Sequence, residues 1–263
     1  MQRNDNQMDK KRTKIITIAS IKGGVGKSTS AILFSTILSK KFSVLLIDMD
    51  AQASLTSYFN EYLEKTRINV ENINIYEILQ KNLDINNSIC NINQNLDFIP
   101  SYLNLHFFNN DNLPFKETRL KKALYFIKNT YDYIIIDTNP SLDFTLINAL
   151  VVSNFVISPI PAEKWSIESL EALNFKVKQL DLNLPIYILN TRLKNNNSNK
   201  FYLDILKQNS NFIGSIRERE DLNKRIAQNI GFSLNEDYIS DYKKALKNLF
   251  GAEQISGRSY EEK

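Results

Sequence analysis

A single cysteine, Cys90, in 263 residues leaves no disulfide framework, no Cys-x-x-Cys redox pair and no cysteine-ligated cluster within the chain. A reducing cytoplasm is the expected setting. With six prolines and seven glycines, long flexible linkers are not expected, and the glycines stand out because three of them crowd into one loop. No long apolar run opens the chain. "MQRNDNQMDKKRTK" is polar and leads into a run of only strand length, which argues against a signal peptide or membrane anchor. Its cations Lys10, Lys11, Arg12 and Lys14 read as a solvated tail. Charge of one sign is not in large excess either: the balance of +4 permits an acidic partner without requiring one. No internal repeat is evident. At 43% hydrophobic residues the chain can bury one good core, so the expected organisation is a polar tail 1–13, a single domain 14–250 and a polar tail 251–263.

What is present is an alternation of two patterns. "KIITIAS" (14–20), "SVLLIDMD" (43–50), "LDFIPS" (96–101), "YDYIIIDT" (131–138), "FVISPI" (155–160) and "PIYILNT" (185–191) are short, apolar and β-branched, as strands buried on both faces should be. Helical periods lie between them. In "KETRLKKALYFIKN" (116–129), Leu120, Ala123, Leu124 and Ile127 fall at i, i+3, i+4 and i+7, and "SIESLEALNFKVKQL" (166–180) behaves alike. The expected class is α/β: a mostly parallel twisted sheet with helices on both faces, binding its ligand at the carboxyl ends of the strands.

The motifs sit at those ends. After the first strand, "KGGVGKST" places Gly23, Gly24, Val25 and Gly26 in a loop whose N–H groups would face phosphate oxygens, with a helix starting near Ser28. Lys27 would neutralise the β and γ phosphates, Ser28 would supply a hydroxyl to Mg²⁺, and Thr29 would reach another phosphate oxygen. This predicts a three-layer P-loop NTPase. The next strand ends in "LLIDMDAQASLT", where Asp48 and Asp50 alternate with Met49 and are expected to point to opposite faces and hold different jobs. One of them would orient the attacking water. Asp137, closing "YIIIDTNPSL", has the pattern of a carboxylate in the magnesium shell.

Lys22, one residue before the glycines, has no task in an ordinary phosphate loop. Together, "KGGVGKST", "VLLIDMDAQASLT" and "IIIDTNPSL" resemble the deviant Walker A, A′ and B elements of the ParA/MinD ATPases, and "LDFIPS" and "PAEKWSIESL" resemble further stretches of the ParA (Soj) branch. The resemblance runs from about Lys14 to Asn229. It implies a P-loop ATPase using ATP and Mg²⁺ that forms a nucleotide-sandwich homodimer, in which Lys22 reaches the phosphates of the partner's ATP in the manner of an arginine finger. It further implies that Asp50 positions the attacking water and that Asn190 reads the adenine edge. Two departures, Ala51 where the family has proline and Asn139 in "DTNPSL", remove no ligand but bear on the stiffness of the switch loops. The polar insert "KNNNSNK" after Asn190 also departs from the family pattern.

Within the family, ParA dimers bind DNA without sequence preference and segregate replicons with a ParB-like partner, whereas MinD dimers bind membrane through a C-terminal amphipathic helix. "DYKKALKNLFG" shows an apolar stripe (Tyr242, Leu246, Leu249, Phe250) that suits either a membrane surface or packing on the sheet. Packing is the expectation, with no membrane partner, because polar residues follow. Arg192, Lys194, Lys200, Lys207, Arg217, Arg219, Lys224 and Arg225 supply cations for DNA, with Arg219, Lys224 and Arg225 the chosen contacts and nucleoid association the implied location. Few residues precede the first strand in this sequence, so sequence-specific operator binding through an N-terminal helix-turn-helix domain is not expected. Other relatives fit less well: cluster-bearing ATPases need paired cysteines, and the family's tyrosine kinases carry a tyrosine-rich tail where this chain has only Tyr260. A nucleotide-dependent assembly protein with little turnover is the non-enzymatic alternative.

Overall fold

The computed structural model describes residues 13–193, 197–231 and 234–251. The basic cluster Lys10 to Arg12, Lys194, Tyr260 and most of the two predicted tails lie outside the described residues. Among the described residues eight strands form one sheet: β1 (Lys14–Ile18), β2 (Val44–Met49), β3 (Cys90–Asn93), β4 (Leu96–Ile99), β5 (Tyr133–Thr138), β6 (Phe155–Pro161), β7 (Ile186–Leu193) and β8 (Phe212–Arg217). Their spatial order is β3-β4-β2-β5-β1-β6-β7-β8, and every pairing is parallel except β3 with β4. The six expected strands occupy the interior. Sequence reading misses β3 and β8, the two edges.

Between the strands run α1 (Lys27–Leu38), α2 (Ser54–Tyr58), α3 (Asn60–Lys65), α4 (Ile75–Gln80), α5 (Arg119–Tyr125), α6 (Phe144–Val152), α7 (Lys164–Gln179), α8 (Asn197–Lys207), α9 (Glu220–Ala227) and α10 (Asp237–Phe250). Strand parity sorts them into layers. On one face Ile16, Ile18, Val44, Leu46, Tyr133 and Ile135 pack with α1 and α10. On the other, Leu45, Ile47, Ile134 and Ile136 meet α4, α5 and α6, and Val156, Ile160, Ile186 and Ile188 meet α6, α7 and α8. Each fully buried aliphatic side chain contributes about 1.5–3 kcal/mol. The three-layer α/β arrangement is thus the one the alternation implies.

Two helices end or pack for identifiable reasons. The periodicity predicts a helix to residue 129, yet α5 stops at Tyr125. There the Asn86 side chain takes over the backbone: its Nδ2 donates to Phe126 O (3.0 Å) and its Oδ1 accepts from Lys128 N (2.9 Å). In α10, Tyr242 and Leu246 are buried while Leu249 and Phe250 pack against the α1-side core. The Phe250 ring lies 5.4 Å from Tyr133 and 5.9 Å from Phe155, with the Lys14 ammonium 5.0 Å above it. The apolar stripe therefore covers the sheet, as expected. Among the described residues no helix is long and apolar enough to cross a membrane.

Candidate functional site

β1 delivers the chain into the glycine loop at the carboxyl edge of the sheet, and α1 begins at Lys27, one residue earlier than predicted. Gly24 and Gly26 adopt φ of +69° and +90°, a left-handed conformation that glycine enters without the penalty of a Cβ. Gly26 is the N-cap and carries no side-chain cap, so the first-turn amides of α1 are left for another acceptor. A Cβ built on Gly23, Gly24 or Gly26 would meet nothing within 4 Å. The space over the loop is open. Val25 is buried, and its carbonyl accepts from Thr191 Oγ1 at 2.8 Å, pinning the loop to β7.

Lys27 is only 7% exposed, and its Nζ donates to Lys22 O at 3.3 Å. Burial lowers its pKa, opposed by the charges of Asp137 and Asp50. Asp137 is fully buried on β5, and neither carboxylate oxygen has a hydrogen-bond partner among the described residues. Its pKa is driven well up by burial and by Asp48, with the Ser28 hydroxyl and Lys27 acting against the rise. A charge buried without full pairing is costly, and here it faces the phosphate loop.

The expectation that Asp48 and Asp50 point to opposite faces is corrected by geometry. Side chains two apart on a strand share a face, and the strand ends at Met49. Asp48 pairs in register with Asp137 on the α1 side, and both Asp48 and Asp50 act electrostatically on Asp137. Their jobs do differ. Asp48 organises the loop after β2: Oδ1 accepts from Asp50 N (3.1 Å), and Oδ2 accepts from Thr56 N (3.0 Å) and Thr56 Oγ1 (2.8 Å). Ser101 N in turn donates to Thr56 Oγ1 at 2.8 Å, which ties in the end of "LDFIPS". Burial pushes Asp48 up to about 7 despite these bonds. Asp50, 8% exposed, uses Oδ1 to accept from Gln52 N at 2.9 Å in a tight turn completed by Ala53 at φ +52°.

Lys22 is held within its own chain. Its Nζ donates to Glu163 Oε2 at 2.6 Å, and both side chains keep substantial solvent access, 33% and 49%. Glu163 is the N-cap residue of α7, and Trp165, 66% exposed, follows it. Sequence reading missed Glu163, although it lies inside the quoted stretch "PAEKWSIESL".

A cleft opens beside the loop, lined by Val25, Gly26, Thr29, Thr191, Arg192 and the β8 exit Arg217-Glu218-Arg219, with Tyr242 of α10 at its wall. Asn190, assigned to adenine by resemblance, is not on that wall. It follows Ile186 and Ile188 in strand parity, which sets it toward α7 and α8, and its amide is sealed with both ends unpartnered among the described residues. In this conformation Thr191 and Arg192 line the cleft and Asn190 does not. Missing β8 hid the other wall. Arg219, expected to stand apart from the phosphate motifs as a DNA contact, lines the same cleft and pairs with Asp237 at 3.5 Å. Arg225 pairs with Glu236 at 3.7 Å and donates to Gly231 O at 3.0 Å, and Arg217 grips Asp241 with two nitrogens. Lys224 is exposed on α9.

These residues suit a magnesium-bound nucleoside triphosphate. Uncapped amides and Lys27 match phosphates, and the orphaned carboxylate of Asp137 beside Ser28 matches a divalent cation. Among the described residues no group of three His, Cys, Asp or Glu side chains could hold a metal ion. Mg²⁺ needs no such group, because it is held by one or two protein oxygens plus substrate phosphates.

The chain matches the family model AAA_31, described as an AAA domain, over residues 13–195. It is 38% identical over 183 residues to the sporulation initiation inhibitor protein Soj of Bacillus subtilis strain 168, an alignment covering 66% of this chain and 70% of Soj. Among solved structures, a protein of Borrelia burgdorferi B31 named for plasmid partition and bound to AMPPNP is 56% identical with a TM-score of 0.89, covering 90% of this chain and 98% of its own. A further plasmid partition protein from Borrelia burgdorferi is 53% identical with a TM-score of 0.84, covering 91% and 98%.

Proposed function

We infer the function from one premise: the chain belongs to the AAA-domain family and, within it, to the ParA/Soj-type partition ATPases of the deviant Walker A group. On that premise we propose a Mg²⁺-dependent ATPase whose ATP form dimerises, binds DNA without sequence preference and moves a replicon with a ParB-like partner. The observation that carries the reading is the convergence on one open glycine loop of Lys27, the unpartnered Asp137 carboxylate and the Asp50 turn.

In this reading Gly23, Gly24, Val25, Gly26 and the first turn of α1 cradle the phosphates, with Lys27 as their counterion and Thr29 as a further donor. Ser28 and Asp137 hold Mg²⁺, which when bound neutralises charge on the β and γ phosphates. The base occupies the cleft between Thr191 and the β8 exit. Asp50 orients the attacking water, and its turn, anchored by Asp48 on Thr56, leaves it free to respond to the γ phosphate. Lys22 leaves Glu163 to reach the partner's phosphates, which makes ATP the bond between subunits and hydrolysis the event that breaks it.

Phosphate release tests this. Turnover with Mg²⁺ and ATP is expected to vanish in EDTA and in Lys27→Ala, and to rise when non-specific DNA and the partition partner are added. Turnover that persists in Lys27→Ala would contradict the assignment. AMPPNP binding with no turnover under any condition would favour the non-enzymatic assembly reading.

A further inference from the structure

Away from the nucleotide site, a cavity of about 310 Å³ lies between α4, the turn at residues 85–87 and α5. Its apolar lining comes from Ile78, Leu83, Ile85 and Ala123, with the half-exposed Phe126 ring beside them. Three cations line the same space: Lys81, Arg119 and Lys122. Among the described residues none of the three is ion-paired. Arg119, only 7% exposed, gives its Nε to Pro114 O (3.2 Å) and its Nη1 to Leu79 O (3.3 Å), so a buried guanidinium is met by carbonyls alone. The one acid in the lining, Asp84, is occupied locally, accepting from Asn86 N (2.8 Å) and Asn86 Nδ2 (2.7 Å).

The walls are built before any ligand arrives. Asn86 bridges the two sides by bonding Phe126 O and Lys128 N, the same contacts that end α5. Lys81 is the C-cap of α4 in a left-handed conformation, φ +67°. Lys122 and Arg119 crowd its ammonium and lower its pKa, as neighbouring like charges do, and Asp84 turns its Oδ1 to Asn86 and forms no ion pair with them among the described residues.

The geometry points to a docking site for a partner protein segment that carries an acidic side chain next to a large apolar one. The apolar side chain enters between Ile78, Leu83, Ile85 and Ala123, and the carboxylate meets Lys81, Lys122 and the Arg119 guanidinium. Charge complementarity decides the class of occupant: three unpaired cations around an apolar floor require an anion with an apolar neighbour. A nucleic-acid backbone would instead need a run of exposed cations along a surface. The site is separate from the nucleotide cleft, sharing no residue with it.

The test is an NMR titration of the full ¹⁵N-labelled chain with the capped tripeptide acetyl-Glu-Phe-Glu-amide. Saturable shifts are expected at residues 78–85 and 119–126, with a dissociation constant of roughly millimolar or tighter. Acetyl-Gln-Phe-Gln-amide and Lys122→Glu should each weaken binding about ten-fold or more, while AMPPNP binding by Lys122→Glu stays unchanged. If that variant fails to fold, Lys122→Gln serves in its place. Equal binding of the neutral peptide, equal shifts from inorganic phosphate alone, competition by a short DNA strand, or no saturable shift would each overturn the proposal.

Discussion

Lys22 and Lys27 stand five residues apart and are assigned different tasks, so their variants should separate. In the proposed site Lys27→Ala would remove the main counterion of the phosphates, and it should weaken nucleotide binding by about 100-fold or more in calorimetry. Lys22→Ala should leave binding by the monomer nearly unchanged and abolish ATP-driven dimerisation and turnover. Glu163→Gln releases Lys22. Because that ion pair is well exposed, folding stability should hardly change. Dimerisation with ATP should strengthen, and weakened dimerisation would place Glu163 on the dimer face instead. Asp50→Ala should bind ATP and accumulate as a dimer without turnover, whereas Asp48→Ala should cost about 1–3 kcal/mol in chemical denaturation by freeing Thr56 and the Asp50 amide. The pH dependence follows from Asp48 and Asp137, whose folded pKa values are both raised, Asp48 to about 7. Between about pH 4 and 7 the folded protein holds protons that the unfolded chain has released, so this contribution to stability is present at low pH and lost as pH rises through 7. Thermal melts of the nucleotide-free protein should therefore fall from pH 5.5 to pH 8. Mg²⁺ with AMPPNP should recover more stability at the higher pH, since a bound cation favours the deprotonated form of Asp137, opposing the rise that burial causes. That Lys27, Ser28 and Asp137 gather at the glycine loop was legible, because fixed spacing after β1 and at the end of β5 leaves them few other places. The inward turn of Asn190 and the contact of Lys22 with Glu163 were not, since strand parity and a contact across 141 residues show only in the fold.

At the scale of elements, interior strands were legible and edges were not. β2 and β5 read as unbroken apolar runs because both faces are covered, whereas β3, "CNIN", alternates with polar residues at a solvent edge. β8 carries Gly214 and a register shift against β7, which breaks its pattern. Losing β8 cost the reading one wall of the cleft, on which Arg219 stands. Likewise α5 kept its helical period past its true end because periodicity does not register the Asn86 side chain that stops it. The α10 stripe was ambiguous in sequence; in the structure Phe250 packs on Tyr133 and Phe155. Changing Leu249 and Phe250 to Ser should thus lower the melting temperature and cost about 2–5 kcal/mol, without altering sedimentation with anionic vesicles. A loss of vesicle binding with unchanged melting would return this helix to a membrane role.

At the scale of the whole molecule, the sheet sets the glycine loop, Asp48 near the end of β2 with Asp50 just past it, and the Asp137 strand end on a common edge, and the cations chosen for DNA lie on α9 and its approach. Of these, Arg219 and Arg225 are engaged with Asp237 and Glu236, while Lys224 is exposed. Lys224→Glu should weaken DNA binding for all sequences and flatten its salt dependence by about one counterion per contact, leaving ATP-driven dimerisation intact. Arg219→Glu should disturb nucleotide binding as well, because Arg219 lines the cleft beside Gly26 and Thr29. On the proposed function, joining two copies would double the basic surface and make DNA affinity conditional on ATP. The measurement that bears most directly on this is sedimentation velocity of the Asp50→Ala variant with a non-specific duplex, in ATP and Mg²⁺ against ADP and Mg²⁺, with anionic vesicles as a parallel arm. The expected result is a dimer that binds the duplex in ATP, a monomer that does not in ADP, and no vesicle association in either; a monomer in ATP, or an ATP dimer that ignores DNA and sediments with vesicles, would contradict it.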